Sequence, residues 1–409
     1  MTFSTPEETK CNLTNYDKHT TMKKFILTSA FALLACLGLQ AQTKWTATWA
    51  TAIESPFSDS DMPKTTLTGN ALRQVIHVSL GGEKLRLQLS NEKSTQPVEI
   101  KSVYIADAGE GSAIDAKTAT YLTFGGNKAV TIEPGKAVYT DVAKYSLKPL
   151  QRLSVTINYG STPEKATTHR GSRTKSYIMT GESTPDAAFN AVETPEHWYN
   201  ISALEVETSA STRCIACLGN SITDGRGTTT DAQNRWTDVL AEALGGKVGV
   251  INLGIGGNCV VSGGISAPAA ERFDRDILGQ QGVTDVVIFE GVNDIGGIKD
   301  DGARTTRMLT KFYRLFVKKA REKGMKVYGG TITPIKNSSY YNATNEKARE
   351  NVNAWIRTAG NFDGVIDFDK AVADPTDPDA MREDLQSDWL HPNPEGYKVL
   401  GNCAADVLR

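Results

Sequence analysis

Cysteine is scarce: six in 409 residues. That is too few for a disulfide-built scaffold, and a chain of this length has ample core without one. Histidine is scarcer, with five. There is no H-E-x-x-H and no carboxylate cluster with calcium-loop spacing, so no metal and no cofactor are expected. Asp374, Asp377 and Asp379, interleaved with Pro375 and Pro378, read as a solvated loop. A basic excess is also missing: 45 Lys and Arg against 47 Asp and Glu give a net charge of −2. This excludes the electrostatic footprint of a nucleic-acid binder. The glycine pairs Gly256-Gly257 and Gly263-Gly264 lack phosphate-loop spacing, so nucleotide binding is not expected. The apolar run Phe25–Leu39 is too short for a membrane span, and no stop-transfer charges follow it. With Met22-Lys23-Lys24 before it and Leu39-Gln40-Ala41 after it, the run reads as an export signal, Met22–Ala41. A membrane anchor, or lipidation at Cys36 within Leu33-Leu34-Ala35-Cys36, are the alternatives. Residues 1–21 are polar, so translation is expected to start at Met22. The product is expected to be secreted or periplasmic, or an outer-membrane lipoprotein through Cys36, with no stable membrane insertion.

What is present divides in two. From Trp45 to about Glu207 the pattern is that of strands. Leu85, Leu87 and Leu89 alternate with Lys84, Arg86 and Gln88, and Val75–Leu80 precede them across Gly81-Gly82, which reads as a hairpin. Further runs lie at 98–105, 129–132, 137–142, 153–159 and 203–206, with no helix between them. An all-β sandwich or jelly-roll-like domain is expected over 42–210, after a leader of 1–41. From Thr212 the period changes. Apolar runs at Cys214–Leu218, Lys247–Leu253, Asp285–Phe289, Lys326–Ile332 and Val365–Phe368 alternate with helical patterns. In Arg304–Lys323 the helical face reads as Met308, Phe312, Leu315, Phe316 and Ala320. An α/β domain over 211–409 is expected, a three-layer α/β/α arrangement with a parallel sheet.

Cys214 and Cys217 form a C-x-x-C, but on a strand residues i and i+3 face opposite ways, which argues against a metal or redox pair. A bridge between Cys217 and Cys259 stays open, since both lie near the tips of what should be adjacent strands.

Such a sheet carries its site beyond the carboxyl ends of its strands. Gly219-Asn220-Ser221-Ile222-Thr223-Asp224-Gly225 follows the first of them and places a serine on a glycine-flanked turn before a helix. Taken alone, it can equally be a capped strand–turn–helix. Three more segments fall at strand ends: Asn252-Leu253-Gly254-Ile255-Gly256-Gly257-Asn258, Gly291-Val292-Asn293-Asp294 and Asp388-Trp389-Leu390-His391-Pro392. A serine hydroxyl needs a base, and among the histidines only His391 lies in the α/β half once the leader is set aside. Asp388, three residues upstream, is within a turn's reach of Nδ1 of His391.

These four blocks, in this order, resemble the SGNH (GDSL-type) hydrolase superfamily across 212–409. Trp45, Trp49, Leu72-Arg73-Gln74 and Leu87-Gln88-Leu89-Ser90-Asn91 resemble the extra β-domain of its secreted, xylan-esterase-like members. The resemblance implies Ser221 as nucleophile, His391 as base and Asp388 as its partner. It implies an oxyanion hole formed by the Ser221 N–H, the Gly257 N–H and the Asn293 side-chain amide. The sequence departs from the usual Gly-Asp-Ser-Leu text at Asn220 and Ile222. Ile222 is nearly isosteric, and Asn220 removes a carboxylate that the triad does not use, so both should be tolerated.

The acyl group is expected to be small, because the α/β half has no long apolar insertion to act as a lipid lid. Trp236, Asn258 and Trp389 are candidates for the substrate pocket, and Tyr340 and Tyr341 offer further flat faces to a sugar. The expected partner is an acylated polysaccharide or oligosaccharide such as acetylated xylan. A lipase or lysophospholipase, or a non-catalytic carbohydrate-binding protein, are the alternatives.

Overall fold

The computed structural model describes residues 1–4 and 42–409; the export signal and Cys36 lie outside the described residues. Residues Lys44–Arg409 form one compact unit with two hydrophobic cores.

The first core lies between antiparallel sheets. One holds Thr43–Ala50, Ile201–Ser209, Gly82–Ser90, Ala137–Tyr139 and Ala143–Leu147. The other is built on Ala71–His77, Arg152–Tyr159 and Val98–Asp107, with Ser176–Met179 at one edge. Leu85, Leu87 and Leu89 from the first and Ile76, Val103 and Ile157 from the second are all buried together. The expected hairpin at Gly81-Gly82 does not form. Ala71–His77 pairs with Arg152–Tyr159 and Ser176–Met179, whereas Gly82–Ser90 pairs with Ile201–Ser209 in the other sheet. The glycines carry the chain from one sheet to the other. Thr48 fixes the crossing: its hydroxyl donates to the Leu80 carbonyl at 2.8 Å and its carbonyl accepts from Ser79 Oγ at 2.8 Å.

The second core surrounds a five-stranded parallel sheet: β1 (Cys214–Gly219), β2 (Gly249–Gly254), β3 (Asp285–Phe289), β4 (Lys326–Gly330) and β5 (Gly364–Ile366). Its order is β2-β1-β3-β4-β5, and every pair is parallel. All residues of β1 and β3 are buried, as a strand covered on both faces by helices requires. The chain leaves β1 to one side and then returns to the other, so a crevice opens at the carboxyl end of β1.

The long helix Ala303–Glu322 is rotated from the face read in the sequence. It buries Leu309, Tyr313, Phe316, Val317 and Ala320, while Leu315 is 40% exposed. Phe316 and Ala320 belong to both stripes, and Tyr313 belongs to the buried one alone. Phe316 stacks on Phe273, ring centroids 4.4 Å apart, and Tyr313 Oη donates to the Glu290 carbonyl at 2.7 Å. Cys217 and Cys259 are both buried free thiols, so the bridge left open between them is absent. Among the described residues no helix is long and apolar enough to cross a membrane.

Candidate active site

Asn220 ends the run of β1, and its Oδ1 accepts from the Ile222 N–H at 3.0 Å, which starts the single helical turn Ser221–Asp224. The turn aims Ser221 Oγ at Nε2 of His391, 2.8 Å away. His391 enters from the loop before the helix Pro394–Leu408. Its Nδ1 lies 2.9 Å from Asp388 Oδ2. Asp388 Oδ1 also accepts from the backbone N–H of Leu390 and of His391. It therefore both closes the turn and orients the ring. Burial lowers the pKa of His391, and Arg226 and Arg173 lower it further; together they outweigh Asp388, which raises it. The ring is then neutral at neutral pH and free to accept a proton. Burial works against the Asp388 carboxylate, but the bonds from His391 and Leu390 hold its pKa below the ordinary value.

Gly257 follows β2, and Asn293 lies in the short helix Val292–Gly296 after β3. Gly257 has φ of +72°, and a Cβ there would stand 2.9 Å from Ile265, so the close approach needs glycine. Among the described residues neither the Ser221 N–H nor the Gly257 N–H has a backbone acceptor. Asn293 Nδ2 donates one hydrogen to the Asn258 carbonyl at 2.7 Å, and Tyr340 Oη donates to Asn293 Oδ1 at 2.9 Å. The second amide hydrogen is left for a substrate. Ser221, His391, Gly257 and Asn293 line one pocket of about 270 Å³.

Three residues expected in the substrate pocket are elsewhere. Trp236 is fully buried, edge-on to Phe368 and Phe289, and donates from its indole to Thr223 Oγ1. The side chain of Asn258 is also fully buried, spent on the Ile265 and Ala267 carbonyls and on Arg272 Nε. Trp389 occupies a left-handed position, φ +64°, in the Asp388 turn, and its neighbour Leu390 faces the pocket instead.

Several site residues escaped the sequence reading. Glu54, Arg170, Gly171 and Arg173, all from the β half, form one wall of the pocket. His169 Nε2 lies 2.9 Å from Asp224 Oδ1, and Arg173 Nη2 donates to Asp224 Oδ2 at 3.1 Å. A Cβ on Gly171 would stand 1.9 Å from that carboxylate, so the two halves meet in direct contact at the Ser221 turn. Burial opposes charge on both partners. Asp224 and Glu54 still shift His169 upward, and Arg173 with His169 shifts Asp224 downward. Behind the site, Arg272 is buried and donates to the carbonyls of Gly219 and Leu253, tying the ends of β1 and β2 together. Asn220 Nδ2 donates to Glu290 Oε2 at 3.2 Å. Burial raises the pKa of Glu290 to about 8, against the pull of Arg272. The amide at 220 thus meets a largely protonated acid, where an aspartate would place two carboxyl groups side by side. Arg226, directly after the Ser221 motif, also lines the pocket; of all these residues only it, Asn220 and Asp224 lie in or beside a motif read in the sequence.

Outside this pocket the carboxylates of Glu346, Glu350 and Asp379 converge to within 4.8 Å. Glu346 is bound by Arg349 and Glu350 by Lys347, both at 3.0 Å, so this is an ion-pair cluster.

Residues 217–399 match the family described as GDSL-like Lipase/Acylhydrolase. No curated protein matches the chain. Among solved structures, a G-D-S-L-family lipolytic protein from Desulfitobacterium hafniense is 22% identical, covering 48% of this chain and 99% of its own, with a TM-score of 0.39. The lipase/acylhydrolase from Enterococcus faecalis is 23% identical over 48% of this chain and 94% of its own, TM-score 0.39. A GDSL-like lipase from Bacteroides thetaiotaomicron is 18% identical over 47% and 86%, TM-score 0.37.

Proposed function

We propose that this chain, which carries a GDSL/SGNH hydrolase domain over residues 217–399, is an exported serine esterase that removes short acyl groups, acetyl foremost, from carbohydrate. One observation carries the reading: Ser221 Oγ is 2.8 Å from Nε2 of a neutral His391 whose Nδ1 is held by Asp388. His391 takes the serine proton as Oγ attacks the ester carbonyl. The tetrahedral oxyanion is met by the Ser221 and Gly257 N–H groups and the free hydrogen of Asn293 Nδ2. His391 then gives the proton to the departing alcohol oxygen, and the acyl group remains on Ser221. Water, deprotonated by His391, attacks the acyl-serine, and the same oxyanion site receives the second intermediate. The carboxylic acid leaves as Oγ recovers its proton. None of these steps needs a cofactor.

Export rests on Met22–Ala41, and the carbohydrate substrate on the β half lining the pocket. Ser221→Ala is expected to abolish acetate release from acetylated xylan while the melting temperature stays unchanged. Undiminished release would refute the assignment.

A second observation favours longer acyl groups. Gly257, Asn293 and Tyr340 are shared with an adjoining cleft of about 660 Å³ that includes Val261, Ile298, Met308 and Leu309. A series of 4-nitrophenyl esters from acetyl to dodecanoyl separates the readings. A maximum at acetyl supports the short-acyl esterase, and one at eight carbons or more supports a lipase.

A further inference from the structure

The pocket in front of Ser221 has an arginine-rich wall that acyl transfer leaves unused. Arg170 and Arg173 from the β half, and Arg226 after the nucleophile turn, all line it. Arg170 is spent on Glu54, with bonds of 3.1 and 2.5 Å. The other two have donors to spare. Arg226 is 63% exposed and its nearest carboxylate oxygen, Asp388 Oδ2, is 3.9 Å away, beyond hydrogen-bond distance. That carboxylate is already taken by His391 and Leu390. Arg173 gives one N–H to Asp224, while its Nε is buried without a partner. Its backbone is left-handed, φ +50°, an uncommon state for a residue with a Cβ and one concentrated at functional sites.

The position of this charge is informative. His391 protonates the leaving oxygen, so the alcohol half of an ester must lie against His391. Arg173 and Arg226 line the pocket with His391, Arg226 stands 3.9 Å from the Asp388 carboxylate that holds that ring, and neither arginine lines the adjoining apolar cleft, so they stand on the alcohol side. The local charge is not cancelled. Among the charged residues lining the pocket, Arg170, Arg173 and Arg226 stand against Glu54 and Asp224. Glu54 and Asp224 are buried behind their partners, leaving one surplus positive charge facing the pocket.

Building on the serine-esterase reading, we propose that Arg173 and Arg226 form an anion subsite for a carboxylate on the alcohol half, so that the preferred substrate is an O-acylated uronic acid residue. A planar guanidinium fork matches a carboxylate in shape, and a single surplus charge complements a monoanion rather than a phosphate monoester.

The test uses a matched pair: the methyl glycosides of mono-O-acetyl glucuronic acid and mono-O-acetyl glucose. The full chain is expected to hydrolyse the uronate with kcat/KM about tenfold or more higher, with the difference in KM, as for a charge-assisted bond. Added salt should narrow the gap. Arg226→Gln, at an exposed site where folding is not at stake, should bring the ratio towards one. Lys318→Gln, a cation on the outer surface of a helix, should leave the ratio unchanged. Equal kcat/KM for the pair in the unaltered protein overturns the proposal, as does an Arg226→Gln variant that loses both substrates by the same factor. Faster turnover of acetyl glycerophosphate than of the uronate also overturns it and assigns the arginines to phosphate. 4-Nitrophenyl acetate separates the two levels of the argument, because its leaving half carries no carboxylate. No release from it sinks the esterase itself, whereas release without uronate preference sinks only the subsite.

Discussion

If Asn293 is an oxyanion donor, its substitution should damage catalysis in a pattern set by its two anchors. The amide is fixed through Nδ2 to the Asn258 carbonyl at 2.7 Å and through Oδ1 by Tyr340 Oη at 2.9 Å. Asn293→Ala removes the donor outright and should lower kcat about 100- to 1,000-fold, about 3–4 kcal/mol of barrier, with little change in KM. Tyr340→Phe removes one neutral hydrogen bond, worth about 1 kcal/mol, and leaves the other anchor in place. At about 1.4 kcal/mol per tenfold change in rate, its cost should be about fivefold. Asn293→Asp keeps the shape but turns an oxygen towards both the Asn258 carbonyl and the developing oxyanion, so it should be at least as slow as the alanine. The informative measurement is the double mutant, assayed on 4-nitrophenyl acetate with the melting temperature as control. Tyr340 reaches the chemistry only through Asn293, so adding Tyr340→Phe to Asn293→Ala should cost nothing further. Fully additive losses, or a kcat for Asn293→Ala within threefold of the unaltered protein, would refute the reasoning.

Two pH-dependent predictions follow from the titrating groups. His391 is held below its ordinary 6.5, so kcat/KM should rise with pH through an acid limb centred below 6.5 and then level off. Asp388→Asn removes the group that raises it, so the limb should move lower still while the plateau drops by up to about 10⁴-fold; a limb that moves upward contradicts this arrangement. Glu290 has a folded pKa of about 8 against an ordinary 4.5, so the folded state binds the extra proton between these values. Its contribution is fully present below about 4.5, declines as pH rises, and is gone above about 8, a total of at most about 4–5 kcal/mol. The melting temperature should therefore fall from pH 5 to 9 more steeply in the unaltered protein than in Glu290→Gln, and parallel curves would exclude a raised Glu290.

What could be read from the sequence was local. Ser221, Gly257 and Asn293 each follow a short apolar run within a few residues. Asp388 and His391 are three apart, so their contact needs one turn and no knowledge of the rest of the fold. Where two local solutions were equally apolar, the sequence could not choose between them. Met308/Phe312/Leu315 and Leu309/Tyr313/Val317 flank the shared Phe316 and Ala320 on either side, and the Tyr313–Glu290 bond selects the second. The Gly81-Gly82 turn failed likewise, because alternation reveals a strand without naming its partner. Arg173 lies 218 residues before His391, and nothing near it in the chain marks it as part of the pocket. The Asn220–Glu290 pairing was hidden for the same reason, and it gives the odd letter of the motif a positive role where the sequence suggested mere tolerance.

The contact of Gly171 and His169 with Asp224 has a consequence for how such a protein can change. The proposed catalytic groups lie from Ser221 onward, and Glu54, Arg170, Gly171 and Arg173 of the pocket wall lie on another stretch, more than 40 residues earlier. Change at Arg170, which is tied to Glu54, can therefore alter what is admitted without touching the Ser221 turn, whereas change at His169, Gly171 or Arg173 reaches Asp224 and the turn itself. The two stretches are nonetheless not separable pieces. A chain begun at residue 211 would leave the Asp224 carboxylate without His169 and Arg173, and would open the nucleophile turn to water on its buried side.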